Sequence, residues 1–131
     1  MKKTIVFLFL SSLIFAQSDS VAVNLANAER SFSNASEQMG IKNSFLAFLS
    51  DDCVMFNPYP VNGKELHKNR PANSASLLLY PVFVEVASSG DFGFTYGFSV
   101  SAKNDSSSYI RVWRKEKEWE IAIAMLEPFK K

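Results

Sequence analysis

The chain has 131 residues, 47% of them hydrophobic, which suits one domain with a packed core. Its 14 basic and 13 acidic residues nearly balance and form no basic cluster, so nothing in the composition indicates a nucleic-acid partner. The 12 phenylalanines favour a large buried interior, and the single cysteine, Cys53, excludes an internal disulfide.

The N-terminal segment has the features of a secretory signal peptide. A short basic start precedes an apolar run from Ile5 to Phe15, and Ala16 then offers a small residue for signal peptidase. The run is too short to indicate a membrane span. We therefore expect cleavage after Ala16 to remove residues 1–16 and leave residues 17–131 as one exported domain, periplasmic or secreted.

Two helices are expected next. The segment Ser18–Ser20 contains helix-capping residues. Apolar residues then recur at helical spacing until Gly40 supplies a stop: Val21, Leu25, Ala28, Phe32, Ala35 and Met39. Glu29 is expected on the solvent side or the edge of this first helix. A second helix is expected from about Ile41 to Leu49.

The middle of the chain predicts shorter elements. A short strand over Cys53–Asn57 precedes a loop from Asn57 to Gly63, where two prolines and an Asn-Gly pair favour turns. A short helix over Lys64–Asn69 and a polar surface loop over Pro71–Ser76 complete this region.

The stretch from Tyr80 to Leu126 predicts four strands, whose short polar connections make neighbours antiparallel. The clearest strand alternates large and small residues, a period that separates them onto opposite faces: Phe92, Phe94, Tyr96, Phe98 and Val100 against Gly93, Thr95, Gly97 and Ser99. Glycines within a strand indicate a bend, a bulge or a close approach by another backbone. Helices grouped against an antiparallel sheet predict an α+β domain.

The order of these elements and several local phrases resemble the NTF2-like superfamily, in particular its small SnoaL-like and DUF4440-like members. The phrases that carry the resemblance are Ala28–Phe32, Phe45–Asp52, Pro60–Glu65, Ser89–Gly97 and Tyr109–Lys115. The resemblance implies a cone: a strongly curved sheet wrapped around N-terminal helices, with a pocket at its open end. It also implies a tendency to form homodimers through the sheet.

The resemblance does not imply a reaction, because function belongs to the site and not to the fold. Three functions therefore stay open. The first is an exported protein that binds a small, largely apolar molecule in its cone without catalysis. The second is an isomerase, dehydratase or cyclase that uses His67 or a buried carboxylate as its base. The third is a homodimeric interaction module without a ligand. No cofactor or metal is expected, since one histidine and one cysteine are a weak basis for zinc.

A few polar residues are candidates for the site. His67 is the side chain best suited to proton transfer near neutral pH, although its charged neighbours on a short helix favour solvent exposure. Arg111 is expected either to bind a carboxylate ligand or to stack on the outer face of the sheet. Asn57 and Tyr59 follow the first strand, where such folds open their pocket, so they are ligand contacts or turn formers.

Two further residues are candidates for ligand contacts. Glu85 would form a buried ion pair with Arg111 if the two share one face of the sheet. Trp113 is a candidate for the pocket wall, with the protein core or a dimer surface as the alternatives.

Overall fold

The computed structural model describes residues 5–72 and 75–129, with side chains from residue 20 onward. A long helix, α1 (Ile5–Phe48), is interrupted at Gly40, whose φ of 80° and ψ of 168° are not helical. Glycine adopts this positive φ without a steric penalty. The predicted helix end at Gly40 and restart at Ile41 are therefore confirmed, as two arms of α1. The predicted start at Ser18–Ser20 is wrong, because the helix runs through that segment.

Beyond α1, the described residues form one six-stranded sheet and a short helix, α2 (Gly63–Lys68). The strands are β1 (Leu49–Phe56), β2 (Pro60–Asn62), β3 (Leu77–Val86), β4 (Phe92–Ser101), β5 (Ser106–Lys115) and β6 (Trp119–Pro128). Their spatial order is β2-β1-β6-β5-β4-β3. The four strands β3 to β6 are antiparallel neighbours as predicted, whereas β1 joins β6 in parallel and makes the sheet mixed. The predicted α+β class, with N-terminal helix packed on a curved sheet, is confirmed.

Strand β4 has the two faces that its alternation predicts. The small residues Thr95 and Ser99 are buried, whereas Phe92 and Tyr96 are exposed. The small face therefore lies inward, toward α1. Gly97 meets the backbone of β3 there: a Cβ atom at this position would lie 2.2 Å from the carbonyl oxygen of Tyr80. The prediction of a close backbone approach is thus confirmed.

The hydrophobic core fills the space between α1 and the inner face of the sheet. Phe32 is its centre, since its ring makes edge-to-face contacts with Phe45 at 4.9 Å and Phe48 at 5.4 Å between centroids. Cys53 and Trp113 are also fully buried. The contacts of Phe32 with Phe45 and Phe48 hold the two arms of α1 together.

The N-terminal predictions stay predictions. Residues 1–4 lie outside the described residues, and nothing tests cleavage after Ala16. Within the described chain, no helix combines the length and the apolar character that crossing a bilayer requires.

Candidate ligand-binding cleft

A cleft of about 580 Å³ opens between the second arm of α1, helix α2, strand β1 and the adjoining ends of β5 and β6. This volume lies within the roughly 300–1,000 Å³ that small-molecule sites occupy. Most of its walls are apolar, including Ile41, Phe45, Met55, Leu66, Leu77 and Leu126. Three buried polar side chains join them at the wall: His67, Tyr109 and Arg111.

Arg111 lies on the inner face, because it is paired directly with Thr95 across β4 and β5. Its guanidinium donates a hydrogen bond to the carboxylate of Glu29, which reaches the sheet from α1. The hydroxyl of Thr95 donates to the second oxygen of the same carboxylate at 2.8 Å. Trp113 Nε1 donates to the Thr95 oxygen at 3.0 Å. The four side chains therefore form one buried hydrogen-bonded network.

Aromatic rings enclose the Arg111 guanidinium as well. Its central carbon lies 4.7 Å from the centroid of the Phe32 ring and 3.9 Å from that of Tyr109. The side chains of Arg111 and Glu29 are only 2% and 1% exposed. A deeply buried charge is costly unless an opposite charge lies beside it. The carboxylate of Glu29 therefore balances the charge of Arg111 inside the protein.

His67 is fully buried, so the expectation of an exposed histidine is wrong. Its ring stacks on Phe45, with centroids 4.3 Å apart and planes 11° from parallel. Lys42 Nζ holds the end of α2 in place by donating to the carbonyls of Lys68 at 3.0 Å and Arg70 at 2.6 Å. Burial first, and the nearby Arg70 second, lower the pKa of His67 from 6.5 to about 4. The imidazole is therefore neutral at pH 7.

Two side chains at the cleft have buried polar atoms without a hydrogen-bond partner among the described residues. These atoms are Nδ1 and Nε2 of His67 and the hydroxyl of Tyr109. Burial, followed by the charge of Glu29, raises the pKa of Tyr109, so its hydroxyl keeps its proton at neutral pH. Buried polar groups in proteins are nearly always paired, so these atoms are exceptions at the wall of the cleft, as Arg114 Nε and Trp119 Nε1 are elsewhere in the described residues.

The other sequence candidates are dispersed. Asn57 lines the cleft beside His67 and Arg111. Tyr59 is 77% exposed and does not line it, since it stands between two prolines in the turn from β1 to β2. Trp113 lies in the core behind the cleft.

Glu85 also lies away from the cleft. It is paired with Phe94 across β3 and β4, on the outer face of the sheet. Arg111 is on the inner face, so the conditional ion pair between Glu85 and Arg111 does not form. Arg111 pairs with Glu29 instead.

Glu29 and Tyr109 are the site residues that the sequence predictions missed. Glu29 was expected on the solvent side, yet it follows Leu25 by four positions and precedes Phe32 by three, which places it on the apolar stripe of α1. That spacing was the available signal, because an acid at an inward position requires a partner. Tyr109 shares the strand face of Arg111, two positions away.

A second candidate surface lies on the opposite face of the sheet. This outer aromatic face comprises Tyr80, Phe83, Phe92, Tyr96, Phe98 and Ile110, all exposed. Its rings are ordered in stacked pairs: Tyr80 on Phe98 at 4.8 Å and Phe83 on Tyr96 at 5.2 Å. Contiguous apolar surface of this kind marks interaction sites in soluble proteins.

No group of three histidine, cysteine or acidic side chains that could hold a metal occurs in the described part of the chain.

No family model and no curated protein matches this sequence. Solved structures do match. A ketosteroid isomerase-like protein from Erwinia carotovora atroseptica has a TM-score of 0.61 at 15% identity, over 84% of this chain and 97% of that one. An NTF2-like protein of unknown function from Methylobacillus flagellatus has a TM-score of 0.59 at 14% identity, over 82% and 90%. A protein of unknown function with a cystatin-like fold from Nostoc punctiforme has a TM-score of 0.63 at 13% identity, over 83% and 91%. At these identities the likeness shows the fold alone.

Proposed function

We propose that this chain, which has the NTF2-like fold, is an exported protein that binds a small, largely apolar molecule in its cleft. The observation that carries the proposal is the cleft of about 580 Å³, which combines apolar walls with buried polar atoms that lack a partner among the described residues. Sites for small molecules combine mostly apolar walls with a few polar groups that orient the ligand.

Binding is better supported than acid–base catalysis. A general base works best when its pKa lies near the operating pH, and the pKa of His67 is lowered to about 4. The buried carboxylate of Glu29 already accepts hydrogen bonds from Arg111 and Thr95, which hold it away from a ligand proton. Neither group is therefore well placed to abstract a proton at neutral pH.

Native mass spectrometry of the protein purified from its own host tests the binding proposal. We expect a complex with a small molecule, which is lost on denaturation. Leu126→Glu should abolish it, because Leu126 lies opposite the buried Tyr109 and faces the cleft. Met39→Glu is the matched control: Met39 is 46% exposed, against 43% for Leu126, but does not line the cleft. A bare protein mass, together with no saturable uptake of an apolar probe, would contradict the proposal.

The export part of the proposal has its own test. The intact mass of protein recovered from the host should lack residues 1–16, in agreement with cleavage after Ala16. Retention of the complete N-terminus on protein found in the cytoplasmic fraction would contradict export without affecting the binding proposal.

We also propose that the chain forms a homodimer through the outer aromatic face. The supporting observation is the set of exposed, mutually stacked aromatic residues on neighbouring strands, which the single chain leaves in contact with water. The cleft opens on the other side of the sheet, so dimerisation and ligand binding are compatible.

A further inference from the structure

We infer that the cleft selects uncharged apolar ligands that carry one hydroxyl or carbonyl group, and that it discriminates against carboxylates. This inference rests on the proposed binding function and specifies the class of ligand. It follows from how the three buried polar side chains at the cleft, His67, Tyr109 and Arg111, are used within the protein.

The first step concerns the cation. Arg111 is the buried positive group at the cleft wall, and Glu29 neutralises it. The rings of Phe32 and Tyr109 lie against its guanidinium as well. A carboxylate ligand would have to compete with Glu29 for the same donor, and it would then leave one of two acids buried without a counter-charge.

The second step concerns the groups that stay available. The hydroxyl of Tyr109 can donate, and the neutral ring of His67 offers one N–H donor and one bare nitrogen acceptor. A carbonyl oxygen accepts from either donor, and a hydroxyl group both donates and accepts. One such group on the ligand therefore satisfies atoms that no residue of the described chain satisfies.

The third step concerns the charged residues at the solvent-exposed rim of the cleft. Arg70 and Glu127 also line the cleft, and both are exposed. Their opposite charges cancel at a distance, and water and salt screen each of them. The rim thus provides no net positive charge to compensate a carboxylate for the loss of its hydration.

Competition between ligands with the same eight-carbon chain tests the inference. The fluorescent probe N-phenyl-1-naphthylamine, which is uncharged, is bound first and then displaced by 1-octanol, 2-octanone or octanoate at a pH where octanoate is ionised. We expect the alcohol and the ketone to displace the probe at concentrations at least about tenfold below that of octanoate. Displacement by octanoate at an equal or lower concentration would overturn the inference.

The same experiment separates the inference from the function on which it rests. If the probe does not bind, or if its binding survives Leu126→Glu, the proposed binding in the cleft fails and the inference fails with it. If the probe binds in the cleft and octanoate is the better competitor, the inference alone fails.

Two variants test whether Tyr109 and His67 select the ligand. Tyr109→Phe and His67→Phe should each weaken displacement by 1-octanol and 2-octanone several-fold relative to displacement by octanoate. Tyr96→Phe, which removes a hydroxyl from the outer aromatic face, is the control. Unchanged competition by both compounds in both cleft variants would overturn the inference.

Discussion

His67 is a histidine that the fold keeps neutral, and this makes stability depend on pH. Its pKa falls from 6.5 to about 4 on folding, so between these values the unfolded chain binds more protons than the folded one. Above pH 6.5, His67 is neutral in both states and does not lower the free energy of unfolding. As the pH falls from 6.5 toward 4, protonation of His67 in the unfolded chain lowers that free energy. We expect the free energy of unfolding, measured with urea, to fall by about 2 kcal/mol between about pH 7.5 and pH 5.

His67→Phe separates this effect from those of other acids and bases. Phenylalanine retains a ring that can stack on Phe45 and does not titrate. The variant should lose clearly less stability than the wild type over the same interval. An equal loss in both proteins would contradict the assignment to His67.

The pair of Glu29 and Arg111 gives a second prediction at this scale. Glu29→Gln leaves a fully buried guanidinium without a counter-charge, which should cost about 3–5 kcal/mol of unfolding free energy. The double variant Glu29→Leu, Arg111→Met removes both charges and should cost less than the sum of Glu29→Leu and Arg111→Met alone. Urea denaturation of the four proteins measures this coupling, and simple additivity would contradict a mutually dependent pair.

Individual residues were the hardest to place from the sequence. Burial of His67 could not be predicted, because its charged neighbours on α2 indicate an exposed helix. The sequence does not show which side of this short helix faces inward. The ion pair of Arg111 with Glu85 was conditional on a shared face, because strand alternation defines two faces without saying which residues of neighbouring strands share one. Glu29 could have been found, since its spacing from Leu25 and Phe32 is helical.

At the scale of elements, Gly97 sets how closely β3 and β4 pack. A Cβ at this position would lie 2.2 Å from the carbonyl oxygen of Tyr80, a backbone atom that cannot move aside. We expect Gly97→Ala to cost at least about 3 kcal/mol of unfolding free energy. Gly63→Ala is the matched control, since its nearest obstacle is the flexible side chain of Met55, at 3.0 Å. Equal costs in a urea titration would contradict this role of Gly97.

The elements themselves were largely predictable. Alternation in β4 and the break at Gly40 are local properties of the sequence, and both are present in the structure. The parallel pairing of β1 with β6 joins segments that are distant in the sequence, so no local pattern could indicate it. The inward orientation of the small face likewise depends on α1, which needs room to approach the sheet.

For the whole molecule, the outer aromatic face predicts self-association. Tyr96→Lys places a charge at the centre of this face, where the residue is 41% exposed, and should convert a dimer into a monomer. Tyr59→Lys makes the same change on an exposed turn and should leave the dimer intact. Light scattering coupled to size-exclusion chromatography gives the masses. A wild-type monomer, or a dimer that both variants retain, would contradict the proposed interface.

The order of elements was enough to predict the α+β class, because helices followed by a run of antiparallel strands restrict the possible architectures. The cone itself came from the resemblance to the NTF2-like superfamily. The chemistry of the cleft was not predictable in the same way. It depends on α1, α2 and β5 bringing Glu29, His67 and Arg111 together across long stretches of chain. Whether each charge is balanced or free is decided only by that tertiary arrangement.

Titration with N-phenyl-1-naphthylamine most directly tests whether this protein binds apolar molecules in its cleft. We expect saturable fluorescence enhancement with one probe per chain for the wild type and for Met39→Glu, and strongly reduced enhancement for Leu126→Glu at unchanged stability. Loss of binding only in Leu126→Glu would place the probe in the cleft. Equal binding by all three proteins, or by none, would contradict the proposed function.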